Sequence, residues 1–179
     1  MDEYPRRGKQ DMGTITIYWG ARLFNQAERI WNAMCAKALR ERGYQVILPQ
    51  EEAEKYHFGN GVYDLIALTH GCISNAISCD VGCFCLDGPD VDSGTAFEAG
   101  AKVGRQMVTG EWLSLGIRTD FRGQSEDPET GVNAMFRLLD DIVVCRESDS
   151  VETLADLIDT RIKRWVKQTE QRECATASR

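Results

Sequence analysis

At 179 residues, 42% hydrophobic and 27% charged, the chain has room for one domain with a sizeable core and an ordinary globular composition. Its formal charge of -7 sets its long-range field against polyanions, so a nucleic-acid polymer is not an expected partner, whereas a small neutral ligand is compatible. No apolar run reaches the roughly 18–20 residues that span a bilayer, and the polar lead-in Met1 to Gly13 lacks the apolar core of a secretory signal. The seven cysteines are therefore expected to be reduced thiols of a cytoplasmic protein with no membrane contact. Four of them cluster as Cys72, Cys79, Cys83 and Cys85. They form no C-x-x-C knuckle and two sit in an apolar run, so they read as small hydrophobes and no metal site is expected.

In chain order, residues 1–13 read as a disordered lead-in and Thr14 to Trp19 as a strand. Ala27, Ile30, Trp31, Met34, Ala38 and Leu39 recur at helical spacing from Gln26 to Arg42, with Gly43 as the stop. Tyr44 to Leu48 is a second strand closed by Pro49, and a charged, glycine-bearing loop follows through Gly61. Tyr63 to Ser78 can form a helix. Val81 to Leu86 is continuously apolar, as a parallel strand buried on both faces would be. A polar loop, Asp87 to Gly94, leads to a helix from about Thr95 to at least Val103. Between Arg105 and Gly116 the pattern is undecided, with a strand expected to end at Ile117; Ile142 to Cys145 is a last short strand. Asp149, with Glu152 three residues on, has the capping-box pattern of a helix start. That helix would bury Leu154, Leu157, Ile158, Ile162 and Trp165, its basic stretch Arg161 to Lys167 would be a solvated face, and 172–179 would be a flexible tail.

Strands alternating with helices imply a single doubly wound, flavodoxin-like domain over 14–171: a five-stranded parallel sheet with helices on both faces. Ligands of such sheets sit beyond the C-terminal strand ends, here the loops after Trp19, Pro49 and Leu86. The loop after Leu86 carries the most chemistry. Asp87-Gly-Pro-Asp-Val-Asp-Ser-Gly-Thr-Ala-Phe-Glu98 offers three carboxylates and loop amides, then a glutamate near a helix start. The helix dipole there favours an ionised Glu98, and an ionised carboxylate beside an electrophilic carbon is a competent nucleophile. Early-turn glutamates are also common simply because they stabilise helices.

This loop resembles the active-site loop of nucleoside 2-deoxyribosyltransferases. So do Ile17-Tyr-Trp-Gly-Ala-Arg-Leu-Phe-Asn25 with Gln26-Ala-Glu-Arg29, then Arg42-Gly-Tyr, Leu48-Pro-Gln, Arg118-Thr-Asp-Phe-Arg122 and Val132-Asn-Ala-Met135. Together they run from about Ile15 to Cys145 in the family's order. The resemblance implies transfer of a 2-deoxyribosyl group from a deoxynucleoside to a free nucleobase, with no cofactor. By the same resemblance Glu98 attacks C1′, Tyr18 orients that carboxylate and Asp92 accepts the sugar 5′-hydroxyl. Gly20 and Phe24 belong to the turn that closes over the sugar, and Gln50 falls where the base is often contacted. Asp87, Ser93 and Gly94 complete the expected substrate-binding loop. Asn133 matches an asparagine that reaches a neighbouring subunit's site, which implies a homo-oligomer built from dimers, up to a hexamer. Trp19 and Phe97 are candidate walls of the acceptor pocket, with ordinary core packing as the alternative reading of each.

Three departures accompany the match. Cys72 stands where many relatives carry an acid or amide that contacts the base, which leaves base protonation to Asp87, Asp90 or a water. The stretch between Gly100 and Arg118 is longer than in relatives, and the C-terminal helix differs. Rival readings are a hydrolase of nucleoside 5′-monophosphates, a nucleosidase and a non-catalytic nucleoside sensor. The first is opposed by charge, since Asp92 suits a 5′-hydroxyl and repels a 5′-phosphate. A dinucleotide-binding redox reading lacks a G-x-G-x-x-G after the first strand.

Overall fold

The computed structural model describes residues 13–110, 112–121, 127 and 129–177. The lead-in up to residue 12 and Arg122 of the fifth motif lie outside the described residues. Five parallel strands form the sheet: β1 (Thr16–Gly20), β2 (Gln45–Ile47), β5 (Val81–Cys85), β6 (Leu113–Arg118) and β7 (Asp141–Val144), in the order β2-β1-β5-β6-β7. This is the doubly wound arrangement expected, with its reversal of strand order between β1 and β5. Side chains alternate across each strand, so every strand contributes to two cores. Ile17, Trp19, Val81, Cys83, Leu115 and Ile117 pack under α1 (Gln26–Glu41) and α5 (Val151–Ala177). Tyr18, Phe84 and Leu86 pack on the other face against α3 (Leu65–Ser78) and α4 (Ser93–Thr109).

The charged loop expected after Pro49 is structured. Pro49 opens a short helix α2 (Pro49–Glu52), a 3-10 turn spans Ala53–Tyr56, and β3 (His57–Gly59) pairs antiparallel with β4 (Val62–Tyr63). The hairpin turn puts Asn60 at φ 52° and Gly61 at φ 75°, the left-handed region that an Asn-Gly pair tolerates. The undecided stretch after Arg105 divides cleanly: α4 continues to Thr109 and β6 begins at Leu113.

Two expectations at α5 are corrected. The Thr153 amide is capped by Ser150 Oγ at 3.2 Å, and Leu154 N donates to Ser150 O, so Ser150 rather than Asp149 is the N-cap. Asp149 instead accepts from Arg146 N at 2.8 Å, and Glu152 pairs with Arg42. The helix also runs to Ala177 through the stretch read as a flexible tail, where no glycine or proline interrupts it. Leu154, Ile158 and Ile162 are buried as the periodicity requires, with Leu157 and Trp165 partly so.

Lys102 breaks the polar-out pattern. It is 0% exposed on the inner face of α4, its amine donates to the Cys79 carbonyl, and it lies 5.1 Å from the Trp112 ring centre. Burial lowers its pKa. Among the described residues no helix is long and apolar enough to cross a membrane.

Candidate active site

Tyr18 points from β1 towards α3 and α4, and its hydroxyl donates to Glu98 Oε1 at 2.8 Å. Asp92 caps α4: its Oδ2 accepts from Thr95 N at 3.0 Å and from Thr95 Oγ1 at 3.2 Å. Because the helix begins at Ser93 rather than near Thr95, Glu98 lies in its second turn. The dipole's help has largely faded there. Burial dominates instead and pushes the Glu98 pKa from 4.5 up to about 7, with the Asp92 charge adding to the rise and the Tyr18 hydrogen bond opposing it. The expected dipole-favoured carboxylate is therefore corrected to one whose charge is held back by desolvation. Burial and the neighbouring Glu98 charge push the Tyr18 phenol far above its ordinary range, so it stays a proton donor at every working pH.

Gly20 gives the carboxyl its place. A Cβ there would stand 2.8 Å from Phe84 Cδ1 and 2.9 Å from Glu98 Oε2. With Oε1 held by Tyr18, Oε2 has no hydrogen-bond partner among the described residues. The Cys72 thiol, half-buried on α3, lies beside the Tyr18 hydroxyl; burial and the Glu98 charge raise its pKa. A protonated thiol adds no third charge to the pair. The cysteines as a set are free thiols, and no group of three or more metal-ligating side chains gathers among the described residues.

The other expected residues fall in three places. Ser93 and Gly94 are exposed at the first turn of α4, and Phe24 is 79% exposed just before the Asn25 cap of α1. Asp87 and Gln50 are near strand ends, but their polar atoms are engaged. Asp87 accepts from Thr119 N at 2.6 Å, Asp120 N at 2.9 Å and the Thr119 hydroxyl, which ties the β5 exit to the β6 exit. Gln50 donates to Arg29 O at 2.9 Å and sits 3.4 Å from Asn32 Nδ2. Asn133 is exposed and caps the 3-10 helix Ala134–Leu138 through Met135 N at 2.9 Å. Trp19 lies on the opposite face from Glu98, 1% exposed, with its indole N–H on Asn32 Oδ1 at 3.2 Å; it is core rather than pocket wall. Phe97 is 68% exposed.

Three supporting roles escaped the sequence reading. Phe84 packs its ring 6.3 Å from that of Tyr18 and floors the site. Arg118, 3% exposed, donates to Leu86 O at 2.6 Å and Gly88 O at 3.1 Å, holding the start of the acidic loop. Asn32 donates to Arg22 O at 2.7 Å and fixes the β1 exit. The signal for Asn32 was a polar residue one turn before Cys35 and Ala36 on the buried stripe of α1.

A sequence profile described as nucleoside 2-deoxyribosyltransferase matches residues 17–135, which include Tyr18, Gly20, Asp92, Glu98 and Asn133. The chain belongs to the nucleoside 2-deoxyribosyltransferase family. Among solved structures it is similar to a conserved protein from Enterococcus faecalis V583, at 24% identity and TM-score 0.63, covering 83% of this chain and 99% of that one. It is also similar to a CMP N-glycosidase from Clostridium botulinum, at 12% identity and TM-score 0.55, covering 82% and 98%. A third is a 2-desoxiribosyltransferase from Leishmania mexicana, at 17% identity and TM-score 0.51, covering 83% and 97%. At these identities the three likenesses establish a shared fold. No curated protein sequence matches.

Proposed function

We propose that this family member transfers a 2-deoxyribosyl group from a 2′-deoxynucleoside to another nucleobase, with Glu98 as the nucleophile. One observation carries the reading: a half-buried carboxyl with Oε1 held by Tyr18 at 2.8 Å and Oε2 open beside Gly20. In the ionised form Oε2 attacks C1′ from the face opposite the base. The C1′–N bond breaks, the bonding pair leaves with the base, and the base nitrogen takes a proton from solvent. A second base then attacks C1′ of the glycosyl-glutamate through a ring nitrogen, the C1′–O bond breaks to return the carboxylate, and the base's N–H proton passes to solvent. Two inversions give net retention, as in retaining glycosidases. In this reading Asp92 accepts the 5′-hydroxyl through Oδ1, the oxygen its cap to Thr95 leaves unused. The scheme uses no cofactor.

A 5′-phosphate fits this site poorly. Each of its charges would repel Asp92 by about 4 kcal/mol at 4 Å with an effective dielectric of 20. Water competing with the second base would make the same intermediate a nucleosidase, so the assay must report both fates. Deoxyinosine is incubated with and without adenine, thymidine with adenine, and products are separated by chromatography. Deoxyadenosine in either adenine tube is the expected result, and the Glu98→Ala protein, folded by circular dichroism, should form none. Hypoxanthine without deoxyadenosine would replace transfer by hydrolysis, and an active Glu98→Ala enzyme would remove the nucleophile assignment.

A further inference from the structure

Glu98 uses only the sheet face that carries α3 and α4. On the α1 and α5 face a cavity of about 650 Å³ opens over the same strand ends. That size lies within the about 300–1,000 Å³ of small-molecule sites. Tyr18, Asp92 and Glu98 do not line it. The β1 exit divides the two spaces: Gly20 faces Glu98, while Ala21 and Arg22 line the cavity.

We infer that this cavity binds a phosphomonoester carrying a flat heteroaromatic ring, the chemistry a nucleoside 5′-monophosphate presents. Two guanidiniums border it, Arg22 and Arg146, and neither has an ion-pair partner among the described residues. Arg22 is half-buried and lies against the β5 exit, where a Cβ on Gly88 would meet its Nη1 at 3.0 Å. Four carboxylates also line the space, but each is committed elsewhere. Asp87 holds the β6 exit, Glu28 accepts from Phe24 N, Asp120 from Gly88 N, and Asp149 from Arg146 N. Backbone N–H dipoles thus partly offset those charges while the two arginines keep free donors, and a guanidinium pair matches phosphate oxygens.

The backbone adds to this. Both helices on that face start at the cavity rim, α1 through Ala27 and Glu28 and α5 through Asp149 and Ser150. They are 16 and 27 residues long, so their positive ends point at the same space. The walls supply the ring partner. Trp31 is half-buried, packed in part against the core, and Phe121 is 62% exposed; both line the cavity and offer aromatic surface for stacking. Two guanidiniums without ion-pair partners among the described residues thus border this face, beside four carboxylates that backbone N–H groups already engage.

The inference stands apart from the transfer reading and is tested on protein that cannot turn over. Glu98→Gln protein is titrated calorimetrically with AMP, adenosine and inorganic phosphate, alone and combined with Arg146→Ala or Arg22→Gln. AMP is expected to bind at least about tenfold more tightly than adenosine or phosphate, and each arginine substitution to weaken it at least about tenfold. Arg146 is exposed, so its variant tests the site without disturbing the core. No saturable AMP binding at millimolar concentration would overturn the proposal. So would phosphate binding as tightly as AMP, or AMP affinity unchanged by both arginine substitutions.

Discussion

Burial and the Tyr18 hydroxyl pull the Glu98 carboxyl in opposite directions, and the balance near pH 7 makes its ionisation a working variable. Only the ionised form attacks, so kcat/KM for a deoxynucleoside should rise with pH through about 7 and level off above it. Tyr18→Phe deletes the interaction that lowers this pKa and should move the limb to higher pH; Asp92→Asn deletes a charge that raises it and should move the limb lower. Measured profiles of the three proteins decide this, and a wild-type profile flat across neutrality would take the titration away from Glu98. Gly20→Ala is the steric counterpart. Its methyl would enter the space of Glu98 Oε2, so kcat should fall by at least about tenfold while the circular dichroism spectrum holds. That Tyr18, Gly20 and Glu98 meet was legible because an ordered set of motifs surrounds them. The contacts of Gln50 with Arg29 and of Asp87 with Thr119 were not, since only the folded chain creates them.

Strands and helices were read well where the apolar period was long, as in α1 and α5, and poorly where a few residues decide. The β3–β4 hairpin was readable in Asn60-Gly61, but strands of three and two residues leave too short an alternation to register. Lys102 shows the opposite failure: its hydrocarbon stem packs like an apolar residue while its amine finds a carbonyl, a pairing no periodicity predicts. At the start of α5, Asp149 and Ser150 both suit a cap, and the chain uses the second. Ser150→Ala should therefore cost about 1 kcal/mol of stability, and Asp149→Ala only a few tenths. Urea unfolding of the two variants measures this; equal losses would argue for a cap shared by both residues.

Asn133 links the single chain to assembly. Its side-chain oxygen caps its own 3-10 helix, which leaves the exposed amide N–H groups to donate elsewhere. If they complete a neighbour's site in a two-fold dimer, two inactive variants should rescue one another. Glu98→Ala and Asn133→Ala proteins, unfolded and refolded together in equal amounts, should regain about a quarter of wild-type transfer. No recovery, with dimers seen by light scattering, would confine Asn133 to its capping role. The strand order has a different consequence, in time rather than space. Ile17 of β1 pairs with Val81 of β5, far along the chain, and Glu98 follows β5 directly. During synthesis β1, α1 and β2 emerge with one edge of β1 unpaired until the middle of the polypeptide arrives, and such non-local parallel pairing is slow. The nascent N-terminal third is therefore the aggregation-exposed stage of this protein's life, and catalytic competence should appear only in a late step of folding, after β5 has docked.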